Sequence, residues 1–195
     1  MPRRPTRTVP TVIIHGWQGN EPDHWQTWLA GQLNEAGREV RYPDLPDADT
    51  PQLDAWLAAL DATLKGLPDD GFDVVCHSLG GLLWLHHVHA GGGPRPARVV
   101  LVAPPSPRTT VPELAPFLPV PFEIDLVRHA SDGTVLVASD NDPYCVEGAA
   151  VAYGRPLKMP TTVIPGSGHL NVEAGYGPWP AILDWCGRDN LAFIA

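Results

Sequence analysis

The sequence predicts an α/β domain whose sheet is parallel and covered by helices on both faces. Three observations carry that expectation. Short runs that are apolar throughout and rich in β-branched residues recur at Thr11–Ile14, Phe72–Cys76, Arg98–Val102, Thr134–Ala138 and Thr161–Ile164. Stretches with helical spacing of apolar side chains lie between them. Continuous rather than alternating apolarity marks strands buried on both faces, the habit of parallel sheets with crossover helices. Right-handed crossovers then gather the chemistry at the carboxyl ends of the strands.

In chain order, the first strand runs into the loop His15-Gly16-Trp17-Gln18-Gly19-Asn20. A helix over about 23–36 follows, with Trp25, Trp28, Leu29 and Leu33 on one face and Gly37 as its stop. Glu39–Tyr42 is a short second strand, making about six in all, and Pro43-Asp44-Leu45-Pro46 is a stiff turn. Thr50-Pro51 reads as an N-cap followed by Pro at the first helical position, opening a helix that aligns Leu53, Trp56, Leu57, Leu60 and Leu64 before Gly66. The third strand passes through Ser78 into an apolar helix over Leu79–Val88 that ends at Gly91-Gly92-Gly93. A helix over about 146–153 is expected after the fifth strand, and Pro180–Gly187 closes the chain. Between the fourth and fifth strands, residues 104–133 hold seven prolines between Pro104 and Pro121. This connection is either a cap over the substrate, walled by Phe117 and Phe122, or a solvated Pro-rich loop.

Composition excludes several classes. A net charge of −9 with only 13 Lys and Arg argues against nucleic acid and anionic membranes as partners. The one basic cluster, Arg3, Arg4 and Arg7, lies in residues 1–8, expected to be a flexible lead-in to a single domain over 9–195. No apolar stretch is long enough to span a bilayer. The three cysteines, Cys76, Cys145 and Cys186, fit neither a disulfide framework nor a zinc site, so a reducing cytoplasm is the expected setting. His86, His87 and His89 share one helix without an accompanying carboxylate or cysteine and read as a solvated edge; no metal or cofactor is expected.

The chemistry centres on Cys76-His77-Ser78-Leu79-Gly80. A serine on a sharp turn from buried strand to helix is the nucleophile elbow of an α/β-hydrolase, which pushes its Oγ out at the rim of the sheet. Small residues are needed two before and two after; Gly80 meets that need and Cys76 departs from it. In this fold nucleophile, acid and base follow in that order. The loop after the fifth strand, Ser139-Asp140-Asn141-Asp142-Pro143, supplies the acid: Asp142, stiffened by Pro143, is preferred, with Asp140 as the alternative. The loop after the sixth, Pro165-Gly166-Ser167-Gly168-His169, supplies the base, His169. The backbone N–H groups of Leu79, at a helix N-terminus, and Trp17, after Gly16, are the candidate donors to an oxyanion. His15, Gly16, Tyr144 and Leu170 are candidate substrate contacts.

Further motifs are consistent with one family. His15-Gly16-Trp17, His24-Trp25-Gln26, His77-Ser78-Leu79-Gly80-Gly81, Ser139-Asp140-Asn141-Asp142-Pro143-Tyr144, Gly166-Ser167-Gly168-His169-Leu170-Asn171 and Gly175-Tyr176-Gly177-Pro178-Trp179-Pro180 together resemble the small serine hydrolases of the YdeN and retinoblastoma-binding-protein-nine type. The resemblance covers nearly the whole chain. It implies a compact α/β-hydrolase fold, a triad of Ser78, Asp142 and His169, and hydrolysis of a small ester or, as in some members, aminopeptidase-like cleavage. The pocket-protein motif Leu-x-Cys-x-Glu is absent, since Pro143-Tyr144-Cys145-Val146-Glu147 begins with Pro, so retinoblastoma binding is not expected. The expected function is hydrolysis of a small carboxylic ester, thioester or amide with a short acyl group. A non-catalytic protein-binding module on the same scaffold, or an acyltransferase or lyase using the same triad, is the alternative.

Overall fold

The computed structural model describes residues 7–194. Six strands form one all-parallel sheet: β1 (Thr11–Ile14), β2 (Val40–Arg41), β3 (Asp73–His77), β4 (Arg98–Val102), β5 (Gly133–Ser139) and β6 (Thr161–Ile164). Their order is β2-β1-β3-β4-β5-β6. Five α-helices accompany them: α1 (Trp25–Glu35), α2 (Leu53–Leu64), α3 (Leu79–Ala90), α4 (Ile124–His129) and α5 (Pro180–Gly187). After β1 the chain steps outward to β2 and then returns to the other side of β1 as β3. The crevice at such a reversal, outside the strand carboxyl ends, is where open α/β sheets place their ligands.

The sheet separates two apolar layers, sorted by the two-residue period of its strands. Val12, Ile14, Val74, Cys76, Val99, Leu101 and Leu136 pack with Trp56 and Leu60 of α2 and Leu82 and Leu83 of α3. The residues between them, Ile13, Val75, Val100, Val102, Val135 and Val137, pack with Trp25, Leu29 and Leu33 of α1 and with Ile182 and Trp185 of α5. The helix α3 is buried almost all round, which explains why its apolar residues are not confined to one stripe. Among the described residues no helix is long and apolar enough to cross a membrane.

Several local expectations are corrected. The helix α2 begins two residues after Pro51, and Thr50 instead donates its N–H to the Asp47 carbonyl in a turn. No α-helix forms over 146–153; a single π-helical turn covers Ala150–Gly154, where Gly154 lies so close to Thr161 that a Cβ would meet its Oγ1 at 2.5 Å. Residues 104–133 are not structureless, for they contain a 3-10 helix over Pro112–Phe117 as well as α4. The three α3 histidines are not a solvated edge. His86 donates to the Phe117 carbonyl, His87 is 2% exposed and meets Asp61, and only His89, paired with Glu123, is well exposed. Within the lead-in expected to be flexible, residues 1–6 lie outside the described residues, while Arg7 is held by Asp73.

That contact belongs to a buried ionic cluster at the amino-terminal edge of the sheet. Asp73, fully buried on β3, is met by Arg98 Nη2 at 2.5 Å, Arg7 Nε at 2.9 Å and Arg38 Nη2 at 3.9 Å. Arg38 also donates to the carbonyls of Val9 and Cys186, and Arg98 to those of Trp185, Arg188 and Asn190. Removing the one carboxylate strands two guanidinium groups whose side chains are 2% and 4% exposed. Asp73→Ala is therefore expected to lower unfolding free energy by about 3–5 kcal/mol in urea titrations, as for other broken buried pairs; a loss below about 1 kcal/mol, the size of a surface pair, would refute this role.

Candidate active site

Ser78 sits where β3 gives way to α3, at φ 52° and ψ −125°. A non-glycine residue persists there only when its surroundings hold it. A Cβ on Gly80 would stand 2.6 Å from the His15 carbonyl oxygen and 2.7 Å from that of Ile14. One on Gly16 would stand 2.8 Å from Ser78 Cβ. The end of β1 thus presses on both sides of the turn. The position two before the serine tolerates a thiol because Cys76 points into the apolar layer beneath α3, where burial pushes its pKa well up. It is an inert core residue.

The three side chains expected to converge lie in hydrogen-bond contact. His169 Nδ1 is 2.9 Å from both carboxylate oxygens of Asp142, and its Nε2 is 2.9 Å from Ser78 Oγ. Because the carboxylate only accepts, the Nδ1 carries the ring proton, and the Nε2 lone pair accepts from the Ser78 hydroxyl. The Tyr144 N–H anchors Asp142 Oδ1 at 2.9 Å, and the Tyr144 ring lies 4.4 Å from that of His169. Asp140, the alternative acid, faces elsewhere: its Oδ1 accepts from the Gly166 N–H at 2.7 Å.

That bond is one rung of a zipper between the loops after β5 and β6. Ser139 Oγ accepts from the Ser167 N–H at 2.9 Å, and Asn141 Oδ1 from the Gly168 N–H at 2.7 Å. Gly168 and Leu170, at φ 54° and 52°, bracket His169 and turn its ring back over the sheet. A second brace comes from the elbow itself, where His77 Nε2–H donates to the His169 carbonyl at 3.0 Å. Neither brace was foreseen from the sequence. The signal was the run of short side-chain acceptors, Ser139-Asp140-Asn141, opposite Gly166-Ser167-Gly168, whose N–H groups were free to be bound.

A small cleft of about 60 Å³ opens over Ser78 and His169, bordered by Gly16, Trp17, Glu21, His24, His77, Leu114, Tyr144 and Asn171. Among the described residues the N–H groups of Trp17 and Leu79 have no acceptor. The loop carrying Trp17 is pinned by its indole N–H to the Asp49 carbonyl and by the Gln18 N–H to that of Ala48. Two expected substrate contacts do other work. The His15 ring accepts from the Leu45 N–H through Nε2 and donates through Nδ1 to the Gly16 carbonyl, stapling loops beneath the cleft. Leu170 is fully buried against α1, and its carbonyl accepts from the Trp25 indole. Neither expected wall of the Pro-rich segment reaches the cleft. Phe117 packs on Trp56 and Phe122 stacks on Tyr153, while Leu114 supplies the contact instead.

Burial holds the neighbouring imidazoles neutral. Desolvation lowers the pKa of His15, pushes His24 down to about 4 and sets His77 well below the ordinary value, with the other cleft histidines adding to the last two effects. Desolvation also lowers His87, against the raising effect of Asp61. Below pH ~6.5 the unfolded chain binds protons at these positions that the folded chain refuses. The stability they contribute is complete above pH ~6.5 and lost as pH falls towards about 4, the value for His24. Thermal melts should show Tm dropping over that window in wild type, with a shallower drop in a His87→Phe variant; a flat profile between pH 7 and 5 would contradict the neutral assignment.

Comparison with known proteins agrees with this architecture. The family described as serine hydrolase matches residues 11–187. The chain is 23% identical over 184 residues to YdeN of Bacillus subtilis, covering 91% of this chain and 94% of that one. Its fold superposes on the crystal structure of the B. subtilis ydeN product with a TM-score of 0.79 at 21% identity, covering 91% and 96% of the two chains. A YdeN-like hydrolase from Pectobacterium atrosepticum gives 0.73 at 24% identity over 92% and 89%. Est1E from Butyrivibrio proteoclasticus gives 0.60 at 18% identity over 86% and 82%. With a match that spans all six strands, this chain belongs to the serine hydrolase family and carries the α/β-hydrolase fold.

Proposed function

We propose that the protein hydrolyses small carboxylic esters, thioesters or amides through an acyl-enzyme on Ser78, with His169 as base and Asp142 as its orienting acid. The observation that carries this reading is the unbroken relay from Asp142 through His169 to Ser78 Oγ, with every link at 2.9 Å. The His169 Nε2 takes the hydroxyl proton as Oγ bonds to the substrate carbonyl carbon, and the carbonyl electron pair moves to its oxygen. The N–H groups of Trp17 and Leu79 receive that oxyanion, the latter from the amino end of α3 where the helix dipole adds to its field. As the intermediate collapses, His169 returns the proton to the leaving group. A water then repeats the sequence on the acyl-enzyme and releases the acid. The Asp142 carboxylate keeps the Nδ1–H in place and stabilises the imidazolium formed in each half.

The substrate is small. A cleft of about 60 Å³ is far below the roughly 300–1,000 Å³ of drug-sized pockets. Short acyl groups are the ones this reading assigns to the space beside Trp17 and Leu114. The three thiols, all unpaired and buried, suit a cytoplasmic setting.

Ser78→Ala is expected to lower kcat on an activated short-chain ester by on the order of 10⁴- to 10⁶-fold with the melting profile retained. Wild type should react with a fluorophosphonate probe and the variant should not. Ordinary turnover by Ser78→Ala would remove Ser78 as the nucleophile. Across p-nitrophenyl esters, kcat/KM should fall steadily beyond short acyl chains.

A further inference from the structure

The cleft contains two imidazole nitrogens that the relay does not use. His24 caps α1: its Nδ1 accepts from the Gln26 N–H at 3.2 Å, so the proton of the neutral ring is on Nε2. The His77 Nε2–H is committed to the His169 carbonyl, so its Nδ1 carries a lone pair. The two rings lie 4.8 Å apart, and His24 also packs at a tilt on Trp25 at 5.3 Å. Among the described residues neither His24 Nε2 nor His77 Nδ1 has a partner. Neither atom is among the buried unpartnered side-chain N and O atoms of the described residues, Asn20 Oδ1 and Tyr42 OH, so both keep contact with solvent, and both residues line the cleft. One donor and one acceptor, each fixed by its other nitrogen, thus belong to rings 4.8 Å apart that border the same cleft as Ser78.

We propose that His24 and His77 form a specificity subsite for a hydroxyl group of the substrate, His24 donating to its oxygen and His77 accepting its proton. A hydroxyl satisfies both nitrogens at once, whereas a carboxylate can only accept and an ammonium can only donate. The low basicity of both rings keeps the pair in this donor-plus-acceptor state through the neutral range. The Trp25 contact and the N-cap bond fix the His24 ring in advance, so little ordering cost accompanies recognition. The subsite rests on the serine-hydrolase reading and adds to it a substrate class: short esters that carry an alcohol near the scissile carbonyl. A substrate lacking that alcohol leaves both nitrogens to a displaced or strained water and is held less well.

The test compares kcat/KM within two matched pairs, ethyl glycolate against ethyl acetate for the acyl side and glycerol monoacetate against propyl acetate for the alcohol side. Wild type should favour the hydroxylated member of at least one pair by about ten-fold, the worth of one to two hydrogen bonds. Two variants separate binding from folding. His24→Asn keeps an oxygen that can cap α1 but loses the cleft donor. His24→Gln places an amide N–H near the original Nε2 and gives up the cap. The preference should collapse in His24→Asn and persist in His24→Gln, even though His24→Gln melts lower. A wild type indifferent to both pairs, a preference retained in His24→Asn, or an equal loss in both variants overturns the subsite. Fluorophosphonate labelling of wild type separates the two proposals: a labelled enzyme without the preference sinks the subsite alone, and an unlabelled one sinks both.

Discussion

The backbone at Ser78 is held in a conformation that few side chains tolerate, and much else in the molecule serves to hold it there. Such a residue costs on the order of 1–3 kcal/mol. Here β1 presses its last carbonyls on Gly80, Gly16 leaves just enough room beside the serine Cβ, and the Gln26 amide holds the Ile14 carbonyl in place at 2.9 Å. The Ser78 N–H is itself bound to the Val102 carbonyl on β4 at 2.9 Å. The strain is thus distributed over three adjacent strands and two helices. Its effect is to expose one hydroxyl at the reversal point of the sheet.

The imidazole that meets this hydroxyl is positioned by a different device. Nothing in β6 itself points His169 at Ser78; the strand is short, lies at the sheet edge and is only partly buried. The loop after β6 is held instead by three side-chain acceptors, Ser139 at the end of β5 and Asp140 and Asn141 in the loop after it, the loop that also supplies Asp142. Asp142 and His169 therefore sit on one cross-linked pair of segments, and the His77 bond ties that pair to the elbow. Neutral His24 and His77 rings suit the proposed mechanism electrostatically, since a fixed cation at either position would oppose the positive charge that it places on His169.

The parts of this design set by local chemistry were legible in the sequence. Apolar β-branched runs marked the strands, and the change of period at Ser78 marked the elbow, because both signals lie within a few consecutive residues even though distant strands hold the turn in place. The parts decided by partners far along the chain were not. Phe117 reads as a pocket wall from its place in a Pro-rich segment, yet the flank of Trp56 claims it. His87 reads as solvated until Asp61 and Trp84 are brought beside it. Leu170 and His15 adjoin cleft residues in sequence but turn inward, the former on a positive φ and the latter through two backbone bonds. The 146–153 segment has apolar residues at helical spacing, but Gly148 within it takes a left-handed φ of 78°, and only a widened turn over Ala150–Gly154 forms.

The ionic cluster around Asp73 bears on how the protein is made. The Arg98 guanidinium that faces this carboxylate also binds the carbonyls of Arg188 and Asn190, some 90 positions further along the chain. During synthesis β1, β3 and β4 leave the ribosome long before those carbonyls do. A chain that stops short of residue 188 lacks two of the carbonyls that share this guanidinium, which leaves its charge more open to solvent at the base of the sheet.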